Sequence, residues 1–509
     1  MRNLNLENGI KIIIDKFKKN EFDFVIENSS FLLKKFKKND LLWMLQGVSY
    51  FYKNDKILSI EGLKKALKIN PNNVDARNYL GIVYKKINDF EKSEKCYLDC
   101  IKIDPNYFSS LLNLGNLKII TNHFDEAISF YKKALKINEN IEEIYINLAH
   151  AYQSTKQFKK AKLILSKCLN KFPMSTKADR LLSSQINFAN NQDYLSLLLN
   201  KLDKKKLNKE QIVNLSFAIG KAFEDKKNFK ESFKYYFKGN SIEKKSLKSN
   251  IKQKTEVFNK IKLFFSNFDL YNKNTCLDKE RKIIFIFGLP RSGTTLIENI
   301  ISSHDKVSST GEINFINKFF NDKEIISSDL NHFLDLDLKK KYLNFIKLFK
   351  LENEIITDKS LNNYFYLGFI KHYFPGSKLI HCKRSAKDNC LSIYKNLFID
   401  SQYWKYDEKE LVEYYYLYKN IMEFWNNKMK NEILNIEYEN LIHDKEKTIR
   451  KIIEHCELEW NKKCLHHHKN NISIRTLSNN QAHKPIYSSS INSYKNYEIY
   501  LKKMFNSLN

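Results

Sequence analysis

From residue 40 to residue 173 the chain repeats itself every 34 residues, and a period of that length leaves few folds open. Trp43, Arg77, Leu111 and Tyr145 hold one position, and Gly47, Gly81, Gly115 and Ala149 hold the position four further on. Tyr50, Tyr84, Lys118 and Tyr152 follow, then Ser59, Ser93, Ala127 and Ala161, then Ala66, Cys100, Ala134 and Cys168. The units close on Pro71, Pro105, Glu139 and Pro173. A unit this short cannot bury its own apolar face, so neighbouring units must stack into a continuous core. Small residues at fixed places let paired helices approach, and proline stops the second helix of each pair.

This pattern resembles the tetratricopeptide repeat. Residues 5 to 39 look like a worn first copy, in which Phe22 and Val25 fit while the glycine and terminal proline do not. The pattern blurs from Pro173 to about residue 210 and recovers at Leu215 to Gly239, where Gly220, Phe223, Phe229, Ser232 and Tyr236 fall at repeat positions. We expect an all-α repeat solenoid over 1–245 and a lysine-rich helical connector over 246–280. The resemblance implies a concave face that takes an extended peptide or a protein partner. Scaffolding or dimerising the remaining half is the alternative.

The remaining half, 281–509, opens on a different signal. Ile283 to Phe287 is a continuous apolar run of the kind a buried parallel strand needs. Gly288-Leu-Pro-Arg-Ser-Gly293-Thr294-Thr295 follows, and then Leu296, Ile297, Ile300 and Ile301 recur at helical spacing. Strand, glycine-bearing loop and helix form the layout of an anion cradle, in which backbone N–H groups and a helix N-terminus face the ligand. The glycine spacing is that of the Walker A loop, but Thr294 stands where that loop needs lysine, so ATP is a poor fit.

Further apolar runs, Glu354 to Thr357, Lys378 to Cys382 and Glu432 to Ile436, alternate with helical segments and predict a doubly wound parallel sheet. Each run is followed by polar residues: Asp358 and Lys359, Lys383 and Arg384, Glu437 and Tyr438. Ligands collect at such strand ends.

The loop PRSGTTL resembles the 5′-phosphosulfate loop of sulfotransferases that use 3′-phosphoadenosine 5′-phosphosulfate (PAPS), and FPGSKLIHCKRSAKDNCLSIY is similar to their 3′-phosphate segment. The wider resemblance is to bacterial tetratricopeptide-fused sulfotransferases and, through them, to protein-tyrosine sulfotransferases. It implies a P-loop-like domain that binds PAPS as co-substrate without a metal. The loop residues Arg291, Ser292, Gly293, Thr294 and Thr295 would hold the phosphosulfate, and Arg384 and Ser392 the 3′-phosphate. It further implies Glu312 as general base, Lys359, Arg291 and Ser478 at the transferring sulfuryl group, and Tyr438 and Lys484 on the cofactor side. Two departures stand out: Gln481-Ala482-His483 replaces the QVR common among the fused relatives, and Ser493-Tyr494 replaces a basic residue followed by tryptophan, with Lys495 one place late.

Sulfuryl transfer needs its oxygens in line and negative charge stabilised, which loop donors, Arg291 and Lys359 would supply. The acceptor hydroxyl must lose a proton, and a carboxylate is its natural destination. Protein tyrosine, a glycan hydroxyl and a small metabolite make the same demands. A P-loop kinase or nucleotidase would need magnesium ligands, for which Asp358 is the tempting candidate, and a non-catalytic adaptor would need none of this polar set.

A formal charge of +29 invites a nucleic-acid reading, but 36 Phe, 29 Tyr, 12 Gly and 6 Pro indicate a bias spread over the whole chain, and we expect no nucleic-acid partner. Glu7 and Asp15 break up the first residues, which do not read as a signal peptide, and no stretch approaches a membrane span. Eight dispersed cysteines read as reduced thiols in a cytoplasmic protein. His466-His467-His468 reads as a surface loop, since no carboxylate or thiol pattern completes a metal site.

Overall fold

In a computed structural model of the chain, the described residues are 6–204, 206–247, 251–270, 282–320, 322–334, 337–398, 403–470, 485–486 and 488–508. The chain divides into two compact units, Met1–Ala151 and Tyr152–Asn509.

The first unit is built of antiparallel helix pairs whose boundaries keep the period of the sequence. First helices run Leu6–Lys18, Asp40–Tyr52, Val74–Lys86 and Phe108–Ile120, and second helices run Phe22–Lys35, Lys56–Ile69, Phe90–Ile103 and Phe124–Ile137. Asn20, Asn54, Asn88 and Asn122, again one period apart, carry the left-handed φ values of 61° to 65° that turn the chain between paired helices. Asparagine tolerates that region better than other non-glycine residues, which explains its recurrence. The Asn20 turn shows that the worn first copy folds as a full unit. The side chains of Asn39, Asp55, Asn73 and Asp89 cap the helices that follow them. A Cβ on Gly115 would lie 2.4 Å from the Tyr131 ring, so the small residue is required by the close approach of the pair.

The second unit begins with more helices. Phe158–Lys171, Thr176–Ser183, Gln192–Leu202, Lys209–Asp225 and Phe229–Ser246 lead to Ile251–Asn267. The segment read as a connector is a core element: Val257, Phe258, Ile261 and Phe265 are buried, with Phe258 against Phe365 and Phe265 against Trp425.

Five parallel strands follow: β1 Ile283–Phe287, β2 Val307–Ser309, β3 Ile355–Asp358, β4 Lys378–Lys383 and β5 Ile433–Glu437. Their order is β2-β3-β1-β4-β5. Central β1 is buried along its whole length, as its unbroken apolar run predicts. Ile284 and Ile286 join an aliphatic cluster with Ile297, Ile300, Ile380, Ile436 and Ile452. Phe285 and Phe287 face the other way, towards Tyr342 and Phe374 and onto His381. Connections leave β1 and β4 in opposite directions, which opens a crevice between their carboxyl ends.

Strand β2 was not legible as a strand, because Val307-Ser308-Ser309 carries one apolar residue and borrows its order from β3. The histidine run is also a correction: it lies in a 3₁₀ segment, Lys462–Lys469, and His467 is fully buried. Among the described residues no helix is long and apolar enough to cross a membrane, and seven cysteines are free thiols.

Candidate active site

The cradle forms because β1 ends in a residue that must be glycine. Gly288 has φ 151°, and a Cβ there would meet the Cys382 carbonyl oxygen of β4 at 2.4 Å. Arg291, at φ 68°, takes the left-handed conformation without being glycine, and Gly293, at φ 104°, opens the helix Thr294–Ile301. Local strain of this kind persists where surrounding structure fixes it. Here Arg384 donates to the Arg291 carbonyl at 3.1 Å, and Asn389 Nδ2 donates to the Pro290 carbonyl at 2.8 Å.

Around the loop the side chains are donors. Arg291 Nε donates to Ser392 Oγ at 3.2 Å, so the serine meets the loop arginine rather than Arg384. Arg384, directly after β4, reaches the Ser490 carbonyl at 2.7 Å and stacks on the Tyr438 ring at 5.1 Å. The Tyr438 hydroxyl lies 3.0 Å from Ser490 Oγ, and its ring packs beneath Gly293. Ser292, Thr294 and Thr295 are buried in the loop and first helical turn. Ser292 Oγ and Arg384 Nε are buried without a protein partner. The segment Ser488–Leu508 returns to this corner, where Asp388 accepts from Asn492 N, Ser493 Oγ and Tyr494 N at 2.7, 2.9 and 2.9 Å.

On the far side of β1, the exits of β2 and β3 hold an ion pair. Lys359 is fully buried, and its Nζ donates to Glu312 Oε1 at 2.5 Å. Glu312 keeps its side chain 26 % exposed, so one end of the pair opens outwards. Behind them lies Glu298 of the cradle helix, whose Oε1 accepts from Ser309 Oγ, Gly311 N and Thr357 Oγ1. Burial pushes the Glu298 carboxyl up, against the pull of Lys359.

Asp358, the tempting magnesium ligand, is committed elsewhere: it accepts from Ser360 Oγ at 2.6 Å and Tyr342 at 2.9 Å, and burial pushes its carboxyl up to about 6. Lys383 and Glu437 pair with each other on the exposed rim. Ser478, Lys484 and the Gln481–His483 departure lie outside the described residues.

Sequence reasoning missed Glu298 and Asp388. Glu298 was hidden by an apparent apolar stripe on the cradle helix, of which both faces are in fact covered, with Glu298 and Asn299 as buried as Ile297.

Basic side chains thus converge on a glycine cradle at the central strand of a parallel sheet. Residues 284–462 match the sulfotransferase family, and residues 63–95 and 120–184 match tetratricopeptide repeat families. The chain thus carries a sulfotransferase-family α/β domain behind an all-α tetratricopeptide array.

An uncharacterized protein of Aquifex aeolicus is 26% identical over 61% of this chain. The chain spans 43% of that protein's length. A Caenorhabditis briggsae protein named "Putative protein-tyrosine sulfotransferase" is 24% identical over 38% of this chain and 71% of its own length. Among solved structures, a protein titled MamA is 23% identical, with a TM-score of 0.30 over 33% of this chain and 97% of its own.

Proposed function

We propose that this chain transfers a sulfuryl group from PAPS to an acceptor hydroxyl, a protein tyrosine being the acceptor to test first, with the repeat array recruiting the acceptor polypeptide or a partner. The observation that carries the reading is the buried Lys359 joined to the half-open Glu312 at the edge of a cradle that has Thr294 in the lysine position.

The donor set fits the co-substrate. Ser292 Oγ in the cradle and Arg384 Nε after β4 are buried without a protein partner, which supports their assignment to the two phosphate ends of the co-substrate. PAPS, when bound, supplies an activated sulfuryl group and a bisphosphate leaving group. Loop N–H groups, Arg291 and Lys359 neutralise charge that builds on the transferring oxygens. Glu312 takes the acceptor's proton as the new S–O bond forms and the S–O bond to the phosphate breaks, releasing 3′,5′-adenosine bisphosphate and the sulfate ester. Lys359 is suited to both ends of this event: turned from Glu312 towards the sulfuryl group, it stabilises charge there and leaves the carboxylate free to act as base.

The test is direct. The chain is expected to bind 3′,5′-adenosine bisphosphate in preference to ADP with Mg²⁺, and to label tyrosine-containing peptides from ³⁵S-PAPS. Preference for Mg-ADP favours a kinase or nucleotidase, and binding of neither nucleotide favours an adaptor.

A further inference from the structure

We propose that Glu298 is a positioning residue for this transfer: it backs Lys359 and fixes the turn that carries Glu312, so that the Lys359–Glu312 pair can open when an acceptor enters. The inference rests on the reading of Lys359 and Glu312 given above.

Glu298 Oε1 gathers three donors from β2, the turn after it and β3: Ser309 Oγ at 2.8 Å, Gly311 N at 3.0 Å and Thr357 Oγ1 at 3.1 Å. Gly311 immediately precedes Glu312, and its carbonyl accepts from Lys359 N at 3.2 Å. One buried carboxylate therefore ties the cradle helix, the turn that bears Glu312 and the strand exit that bears Lys359. The second oxygen, Oε2, lies 3.9 Å from Lys359 Nζ. The ammonium is thus flanked by two carboxylates at unequal distance, one fixed and fully enclosed, the other partly open.

That asymmetry has a chemical consequence. A buried ammonium that lost its sole partner would be left uncompensated, at a large cost. With Glu298 behind it, Lys359 keeps a counter-charge while Glu312 swings to the acceptor. The charged and titratable groups facing the pair are Glu298 from the cradle helix, Asp358 beside Lys359 at the exit of β3, and the Cys382 thiol of β4. Asp358 is engaged by Ser360 Oγ and the Tyr342 hydroxyl, whereas Glu298 Oε2 lies 3.9 Å from Lys359 Nζ, so Glu298 is the carboxylate placed to share Lys359 with Glu312.

Glu298→Gln separates positioning from architecture. The amide keeps an acceptor oxygen for Ser309, Gly311 and Thr357 but removes the charge and turns an NH₂ group towards Lys359. Two quantities are read in the full chain: kcat with PAPS on two phenolic acceptors of different acidity, and the Kd for 3′,5′-adenosine bisphosphate. We expect kcat to fall at least about tenfold with nucleotide Kd held within about twofold, the signature of a loss confined to the chemical step. The loss should be smaller on the more acidic phenol, which needs less help from Glu312 to give up its proton.

An equal loss of kcat on both phenols overturns the proposal. So does a variant that fails to fold or that loses nucleotide affinity in step with kcat, since Glu298 would then serve the fold as a whole. If the wild type transfers nothing from PAPS, the functional reading itself fails; a wild type that transfers beside a variant of unchanged kcat overturns this inference alone.

Discussion

Arg384 does three things with one guanidinium: it holds the Arg291 carbonyl, holds the Ser490 carbonyl and covers the Tyr438 ring. The two carbonyl bonds leave Nε buried and unpartnered. A charged hydrogen bond to phosphate is worth roughly 1.5–3 kcal/mol, so Arg384→Ala should weaken 3′,5′-adenosine bisphosphate binding at least about tenfold. Binding of 5′-AMP, which lacks the 3′-phosphate, should change little. Equal losses for both nucleotides, measured by calorimetry, would mean that Arg384 serves the loop and not the phosphate. The sequence pointed to Arg384 and Ser392 through their place after a strand. It could not show that Ser392 would be taken by Arg291, because that bond depends on the left-handed Arg291 backbone and not on spacing.

At the level of elements, what was legible followed from period and what was not followed from partnership. The repeat helices and four strands announce themselves in apolar spacing. Strand β2 and the buried Glu298 exist because a neighbour supplies hydrogen bonds, which no local pattern records. The sheet also buries a titratable pair of opposite habit. His381 of β4 stacks on Phe287, bonds Asn435 Oδ1 at 2.7 Å and meets the Tyr418 hydroxyl, and burial lowers its pKa from 6.5 to about 4. A histidine held neutral contributes stability that is complete above pH 6.5 and is lost as pH falls towards 4, up to roughly 3 kcal/mol. Asp358 works against it: with its pKa raised from 3.8 to about 6, its protonation favours the fold at low pH, and that contribution fades as pH rises through 6. Denaturant melts between pH 7 and 4.5 should therefore show a shallower acid loss in His381→Gln than in the wild type. Parallel curves would place the acid sensitivity elsewhere.

For the molecule as a whole, the structural division at residues 151 and 152 suggests where the repeat array can be cut. Helices ahead of residue 246 are packed into the second unit: Asn240 Nδ2 donates to the Tyr394 carbonyl at 3.0 Å, the Ser232 hydroxyl meets that of Tyr497 at 2.8 Å, and Phe233 stacks on Tyr500. Tyr394 and Tyr497 are nearly inaccessible to solvent. A fragment beginning at residue 246 would strip these partners away and expose an aromatic face, the kind of surface that drives aggregation. We expect such a fragment to be insoluble, whereas one spanning 142–509, which keeps whole the helix Glu142–Ser154 that crosses the division, should run as a monodisperse species and bind 3′,5′-adenosine bisphosphate as the full chain does. The longer fragment then isolates what the first unit contributes. If its helix pairs recruit a polypeptide acceptor, kcat/KM on a folded or long acceptor should fall about tenfold or more on their removal, through KM, since a lost docking contact is uniform binding. Turnover of a short tyrosine peptide should stay within about twofold, because that peptide needs only the transfer site. Equal rates on long and short acceptors would show that residues 1–141 play no part in acceptor choice, and losses on both would show that they support the transfer domain itself.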